Sequence, residues 1–246
     1  MRRGLLVLAA AIGLAVGFVL GALSAAGSRP SWASSRPLDA LSPAALPPVD
    51  ETAAYRVVIG DVIPGGGDEI VVGVTLVSGD GQVLVFQRTG SGWEPAARVE
   101  GFSAIDRVEV RAVAGLGAAE LLVYDEHDEL TGAFYRHRGL TVLKWRPGVS
   151  GVASGDARGA FVPVWSGTLF EEAYSLDPPM EEREVRAAEV RFGRGELHVV
   201  GQRTRSRRTG EGEYRDLEAS PLDARFRWDE GSFRFVPEEP GQPQAG

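Results

Sequence analysis

A stretch of this chain occurs twice, and the repeat constrains the fold more than any other feature. Residues 56–72 (RVVIGDVIPGGGDEIVV) align without a gap with residues 107–123 (RVEVRAVAGLGAAELLV), at an offset of 51 residues. Each copy reads as an apolar strand, a Gly-rich turn, an acidic residue (Glu69 or Glu120) and a second apolar strand. Such a unit cannot bury its own sheet face, so the repeat indicates stacked β units or propeller blades.

The segments around the repeat also have the pattern of β-strands. Residues 82–87 and 140–145 are apolar strands that complete the first and second units. Residues 188–200 and 224–236 each contain two strand-like runs separated by a short turn, which predicts two further hairpins. The repeat therefore fades after residue 150, whereas the β pattern continues.

We predict an all-β domain over residues 53–236, an antiparallel meander with blade-like, propeller-type repeats that follows an N-terminal hydrophobic helix. A β-sandwich is the alternative, because several short strands with regular turns also suit that fold. The polar, Arg-rich residues 201–216 are expected to form a mobile loop. The tail, residues 237–246, consists mostly of Pro, Glu, Gln and Gly and is expected to be disordered.

The first residues suggest export from the cytoplasm. Arg2 and Arg3 precede an uncharged run in which residues 5–23 are long enough to span a membrane. A small-x-small site at residues 31–33 also permits cleavage, so residues 1–28 are either a signal peptide or an N-terminal membrane anchor. Both alternatives place the body outside the cytoplasm, membrane-anchored or secreted. Residues 29–52 contain five prolines and are expected to form a semi-extended tether.

Composition excludes several classes of function. The formal net charge is −8, which disfavours binding to nucleic acid or to anionic lipid. The chain has no Cys, which rules out disulfides, thiol catalysis and cysteine-ligated metal. No serine-nucleophile or phosphate-binding motif is present, and the three histidines lie too far apart in sequence for a local zinc motif: His127, His137 and His198. We therefore expect no enzymatic activity, no catalytic or cofactor-binding residues and no cofactor.

The residues from Gly60 to Val62 and from Gly66 to Val72 (GDV and GGDEIVV) resemble the FG-GAP/VCBS repeats of integrin-alpha-like β-propellers. The resemblance implies extracellular blades that bind ligands, with calcium held in the loop between the first two strands. Only Asp61 and Asp68 stand at the acidic positions of that loop, and the second copy retains none. The calcium loop is thus largely lost, and Asp61 and Asp68 are the remaining candidates for a weak metal site.

Three other features have both a structural and a functional interpretation. The cluster DEHDE at residues 125–129 is expected to be a solvated turn, although it has the residue types of a metal or acid–base site. The charged run from Glu171 to Arg208 is either a solvated surface or a docking patch for a protein. Four tryptophans suit either the core or sugar stacking: Trp93, Trp145, Trp165 and Trp228.

These features predict a non-enzymatic interaction or sensing module at the cell envelope, whose partner is another envelope protein or a glycan. The alternative is a carbohydrate-binding protein or an envelope hydrolase with exposed tryptophan and a pair of carboxylates. The two differ in what the surface must show. An exposed tryptophan on a concave surface near two carboxylates favours the alternative, whereas a flat charged surface favours the interaction module.

Overall fold

Antiparallel β-strands make up most of the described chain, so the predicted all-β class is confirmed. The computed structural model describes residues 37–42, 45–115, 117–129, 135–149, 159–175, 181–210 and 212–238. The strands in chain order are β1 (Thr52–Gly60), β2 (Glu69–Leu76), β3 (Gly81–Thr89), β4 (Gly92–Phe102), β5 (Ala104–Arg111), β6 (Glu120–Glu129), β7 (Tyr135–Pro147), β8 (Gly159–Tyr174), β9 (Glu182–Phe192), β10 (Glu196–Arg208), β11 (Tyr214–Asp229) and β12 (Arg234–Pro237).

Each strand pairs with its neighbour in sequence. β1 to β4 form a first, four-stranded sheet, and β5 to β12 form a second, eight-stranded sheet. Neither sheet closes on itself, so a propeller ring is not shown. The first repeat unit supplies β1 to β3 and the second supplies β5 to β7, as the 51-residue offset predicts.

The two sheets pack face to face through apolar side chains of both repeat units. Val71, Val83 and Val85 of the first sheet belong to one buried cluster with Val108 and Leu121 of the second. The strand alternation of β5 is confirmed, because Val108 is buried while Arg107 on the other side of the strand is exposed. The second sheet therefore covers one face of the first.

Residues that are 51 positions apart in the repeat lie on corresponding faces of the two sheets. Ile70 lies on the face of the first sheet that points toward the N-terminal segment, and Leu121 lies on the face of the second that points toward the first. Val57 and Val108 are related in the same way, but Val57 is only half-buried whereas Val108 is 8% exposed. The units stack in a constant order, and only the first lacks a preceding sheet to cover it.

Two glycines permit β5 to approach the first sheet closely. A Cβ on Gly73 would lie 2.7 Å from Cγ2 of Val108, and a Cβ on Gly60 would lie 2.6 Å from Cγ1 of Val110. Real Cβ atoms do not approach other atoms this closely. Side chains at these two positions would therefore push the repeat units apart.

The last strands cover the other face of β6 to β8. Leu122, Val142 and Trp165 form a buried cluster with Leu197 of β10 and Phe235 of β12. Trp228 of β11 packs against the same cluster, with ring centroids 5.3 Å from Phe235. The predicted hairpins at residues 188–200 and 224–236 are confirmed, and they serve as the final layer of the stack.

The segment before β1 differs from the extended tether expected from its prolines. Residues 37–51 contain two 3-10 turns, Pro37–Ala40 and Val49–Glu51. Leu41 is 6% exposed and packs on Ile70 and Phe86 of the first sheet. The reason is that the first sheet has an apolar face that none of the described strands covers, and this leucine-containing segment lies directly before it. We call the described residues 37–42 and 45–46 the N-terminal cover.

Two segments predicted as loops or turns are strands. β10 continues to Arg208 and β11 begins at Tyr214, so the mobile loop predicted over residues 201–216 is wrong for most of its length. The charged residues 125–129 form the end of β6, not a turn. Residues 201–207 of β10 are paired on both sides, whereas residues 127–129 of β6 pair only with β7 among the described residues. In both segments, polar side chains that point into solvent conceal the strand periodicity.

The outer edge of β11 is partly open. Among the described residues, positions 214–224 of β11 pair only with β10. The backbone N–H of Glu238 donates to the carbonyl of Arg225 at 2.8 Å, so the backbone groups of Arg225 point away from β10. Pro221 is four residues earlier and has the same orientation, which places its missing N–H on the open edge.

Some expectations concern residues outside the described part of the chain. The N-terminal hydrophobic helix and the segment 1–28 lie there, as do residues 239–246 of the predicted disordered tail. Among the described residues, no helix has the length and apolar character needed to span a membrane.

Candidate functional site

A surface rich in charged and polar side chains lies on a part of the second sheet whose residues belong to none of the apolar clusters. It consists of residues 170–174 of β8, 182–187 of β9, 202–208 of β10 and 214–220 of β11, with the adjoining ends of β6 and β7. We call it the charged sheet. Its residues on β8 to β11 are exposed or half-buried, apart from Ser206. Side chains on both of its faces are therefore available to a partner.

One face of the charged sheet has cross-strand ion pairs, and we call it the ladder face. Nε and Nη2 of Arg203 donate to the two carboxylate oxygens of Glu184 at 2.7 and 2.8 Å. Arg205 and Arg207 both donate to Glu182, at 2.6 and 2.7 Å. Hydrogen bonds from Arg207 and Arg205 lower the pKa of Glu182, and the bond from Arg203 lowers that of Glu184. These pairs hold guanidinium and carboxylate groups in fixed positions.

A row of polar side chains continues the ladder face across β6 to β8. His127 is directly opposite His137, which is directly opposite Glu171. The Tyr135 hydroxyl donates to Oε1 of Glu171 at 3.2 Å and lies 3.4 Å from Nδ1 of His137. Burial and the charge of Glu171 raise the pKa of Tyr135. The structure thus brings together two of the histidines that lie far apart in sequence.

The opposite face of the charged sheet has aromatic side chains around one carboxylate. The Tyr174 hydroxyl donates to Oε1 of Glu172 at 2.8 Å, and Nη1 of Arg183 lies 3.7 Å from the same oxygen. The Arg183 guanidinium also lies over the ring of Tyr214, 4.8 Å from its centroid. This face differs chemically from the ladder face, although both are accessible.

A cavity of about 420 Å³ lies at the end of the charged sheet on β6 and β7. The residues that line it are Glu126, His127, Asp128, Arg136, His137, Arg138 and Phe170. Asp128 accepts a hydrogen bond from Arg136 at 3.1 Å, and Glu126 lies 3.6 Å from Nε of Arg138. A glycosidase requires an acid and a base on opposite sides of a cleft. Here each carboxylate has a guanidinium partner on the adjacent strand, which is the arrangement of structural ion pairs.

The metal candidates of the Gly-rich turn are not accompanied by other ligands. Asp61 and Asp68 are both exposed, and the carbonyl of Asp61 accepts a hydrogen bond from the backbone N–H of Ala119 at 2.9 Å. Within the ranges that the structure describes, no three His, Cys, Asp or Glu side chains are placed to hold one metal ion. The His127 and Glu129 pair, 3.9 Å apart, is likewise without a third ligand there.

The four tryptophans lie in or against the apolar clusters. Trp145 and Trp165 are 9% and 8% exposed. Trp93 is half-buried against the cluster beneath the N-terminal cover, and Trp228 is half-buried between Phe233 and Phe235. The core-packing interpretation therefore describes all four.

Two buried glutamates, which align in the sequence repeat, hold the Gly-rich turns through hydrogen bonds, a role that the repeat alone did not reveal. Glu69 is 0% exposed, and its Oε2 accepts hydrogen bonds from the backbone N–H groups of Val62 at 2.8 Å and Ile63 at 3.1 Å. Glu120 is 1% exposed, and its Oε2 accepts from Val113 at 2.6 Å and Ala114 at 3.2 Å. An ionisable residue at the same position of both copies, directly before an apolar strand, was the available signal.

The comparisons with known proteins assign no role to these residues. No protein-family model matches the chain, and a search of curated proteins finds no match.

Proposed function

We propose that the protein is a non-enzymatic interaction module held outside the cytoplasm at the cell envelope, and that the charged sheet is its docking surface for another envelope protein. The observation that supports this proposal most strongly is the ladder face. Its guanidinium and carboxylate groups are fixed in cross-strand pairs on a surface that no apolar cluster includes. Fixed charges of both signs favour recognition of one partner over others, since a wrong partner places like charges together.

The properties of the surface also favour an interaction module over a carbohydrate-binding protein or hydrolase. The surface is rich in charged side chains, and the described tryptophans are buried or half-buried and so are not placed for sugar stacking. Location outside the cytoplasm rests on the sequence, in which residues 1–28 have the features of a signal peptide or an anchor. If residues 5–23 are retained, they also attach the module to the membrane.

We further propose that the two repeat units are propeller-type blades of the FG-GAP/VCBS kind with a degenerate calcium loop. Support comes from the way each unit fixes its Gly-rich turn. Glu69 and Glu120 accept hydrogen bonds from two successive backbone N–H groups at equivalent positions, and the units stack on corresponding faces. In this proposal the N-terminal cover and β10 to β12 occupy the places of neighbouring blades.

A second candidate function is that of a carbohydrate-binding protein or an envelope hydrolase. The observation that favours it is the cavity at the β6 and β7 end of the charged sheet, whose lining includes His127 and His137 together with Glu126 and Asp128. This candidate predicts binding to glycan rather than to protein, and the two can be separated in one experiment.

The experiment places a photoreactive amino acid on the ladder face of the full-length chain in its native envelope. Glu218 is suitable because it is exposed beside Arg203 and Arg205. We expect one specific protein adduct from position 218. Reversing Arg203 and Arg205 to Glu should lower its yield by about tenfold or more, since it breaks interfacial charge pairs.

The control uses the first sheet, which has a comparable ion pair between Arg98 and Glu100 on β4. A photoreactive residue at position 100 should give no adduct, and Arg98→Glu should leave the adduct from position 218 unchanged. The docking proposal fails if positions 218 and 100 give the same adducts. Sedimentation of the wild-type chain with insoluble envelope polysaccharide, unaffected by the arginine reversals, would support the glycan candidate instead.

A further inference from the structure

The two repeat units hold their Gly-rich turns with the same carboxylate but differ in its second oxygen. In the second unit, Oε1 of Glu120 forms a salt bridge with Nζ of Lys144, which also donates to the carbonyl of Ala118 at 3.4 Å. In the first unit, Oε1 of Glu69 is buried and has no hydrogen-bond partner among the described residues. One buried carboxylate is thus neutralised by a lysine, and the other is not.

Gln87 occupies the place in the first unit that Lys144 occupies in the second. In the first unit Phe86 is directly opposite Ile70, and in the second unit Leu143 is directly opposite Leu121. Ile70 and Leu121 are equivalent in the repeat. The next residues, Gln87 and Lys144, are therefore equivalent too. The Gln87 amide also lies against the Glu69 carboxylate. A Cβ on Gly66 would be 2.2 Å from Nε2 of Gln87 and 2.4 Å from Oε1 of Glu69.

We infer that Glu69 and Gln87 form a proton-operated latch on the turn between β1 and β2, whereas Glu120 and Lys144 form a permanent one on the turn between β5 and β6. When Glu69 takes up a proton from solvent on Oε1, that O–H donates to the oxygen of the Gln87 amide, which turns through 180°. Oε2 continues to accept from Val62 and Ile63. The protonated Oε1 then has a hydrogen-bond partner and the buried carboxyl carries no charge, which lowers the cost of its burial.

The charges around Glu69 favour this proton uptake. Asp61 and Asp68 of the same turn face it, and Gln87 from β3 brings no charge. Burial raises the pKa of Glu69, as do the negative charges of Asp61 and Asp68, while the hydrogen bonds from Val62 and Ile63 act in the opposite direction. As pH rises through this elevated pKa, the carboxylate becomes a buried charge without a counter-ion. The closed turn then loses stability relative to an open turn in which Glu69 is hydrated.

Hydrogen exchange of the full-length chain in detergent tests the latch directly. We expect the protection of the Val62 and Ile63 amides, corrected for intrinsic exchange, to fall as pH rises from the ordinary range of a glutamate carboxyl through the raised pKa of Glu69. The fall should be about tenfold for each unit by which the closed-turn pKa of Glu69 exceeds the open-turn value. The amides of Val113 and Ala114 should keep constant protection over the same range.

Matched variants are obtained by exchanging the residues that face Oε1 of the two glutamates, Gln87 in the first unit and Lys144 in the second. Gln87→Lys should remove the pH dependence from the first turn, and Lys144→Gln should introduce it into the second. Glu69→Gln keeps an acceptor for both amides without a titrating group, so it should give constant protection even if Gln87→Lys does not fold. Constant protection of Val62 and Ile63 in the wild type, or an unchanged fall in Glu69→Gln, would overturn the latch. Neither result bears on the docking surface, which this inference does not require.

Discussion

At the scale of single residues, the most unusual feature is the burial of two carboxylates beside the apolar clusters. The carboxylates of Glu69 and Glu120 accept hydrogen bonds from backbone N–H groups of the Gly-rich turns, and these bonds take the place of hydrogen bonds to water. Burying a charge is costly unless hydrogen bonds and a counter-charge accompany it. Sequence reasoning aligned the two residues, but burial depends on the stacking of two sheets and is not visible in a local pattern.

Removing one partner of the Glu120 salt bridge should be strongly destabilising because both partners are buried. Glu120→Gln removes the carboxylate charge that faces the buried Lys144 ammonium, and we expect a loss of about 3–5 kcal/mol in the free energy of unfolding. The double variant Glu120→Gln with Lys144→Met also removes the ammonium and should recover much of this loss. Denaturant unfolding of the three proteins measures both values. A double variant as unstable as Glu120→Gln would contradict the charge explanation.

At the scale of elements, the repeat and the apolar hairpins were predictable because apolar residues recur in their sequences with the pattern of β-strands. The end of β10 was not, because Arg203, Arg205 and Arg207 alternate with polar residues and resemble a loop. Their periodicity becomes evident only beside Glu182 and Glu184 of β9. The N-terminal cover was missed for a different reason. Its prolines indicate an extended chain, whereas the apolar face that attracts Leu41 belongs to strands farther along.

Equivalent strand positions should respond alike to truncation. Ile70 and Leu121 are 1% and 0% exposed, so replacing either with Ala should cost about 2–5 kcal/mol. Val108→Ala should cost less, because fewer atoms are removed, and Val57→Ala least of the apolar changes, because Val57 is half-buried. The exposed Arg56 and Arg107 serve as controls, whose replacement should stay within about 0.5 kcal/mol. Denaturant midpoints of the six variants check this order. Mild effects at both Ile70 and Leu121 would mean that the units do not stack as described.

The N-terminal cover should protect an apolar surface. Leu41→Asp places a charge against Ile70 and Phe86, so we expect the cover to detach and the apolar face of the first sheet to become exposed. Binding of a hydrophobic dye such as ANS should rise, with Asp39→Ala, a change in the exposed part of the cover, as the control. Equal dye binding by wild type and Leu41→Asp would show that the cover is dispensable.

At the scale of the whole molecule, the degenerate turns determine how stability should respond to calcium. Two exposed carboxylates provide far fewer ligands than the six to eight oxygens that calcium prefers. We therefore expect the same melting temperature in millimolar calcium and in chelator. A ligand that binds the native state alone raises stability by mass action. A rise of several degrees in calcium that Asp61→Asn with Asp68→Asn removes would reveal a site in the first turn.

The open edge of β11 determines whether molecules associate through their sheets. Pro221 removes one N–H donor from that edge, which is a common protection against strand addition. Pro221→Val restores the donor in an extended conformation, and we expect the variant to self-associate at concentrations where the wild type remains monodisperse. Sedimentation velocity measures the difference, and Pro95→Val, at the edge of the first sheet, tests whether any edge proline acts in this way.

The pairing of every strand with its sequence neighbour has a consequence for biosynthesis. If the domain is exported as proposed, its strands emerge in chain order, and every strand except β1 and β5 pairs with the strand that emerged directly before it. No strand has to wait for a distant segment, and such local connectivity favours rapid folding. Assembly during translocation can therefore proceed in one direction, with the apolar layers closing in the order in which the ribosome makes them.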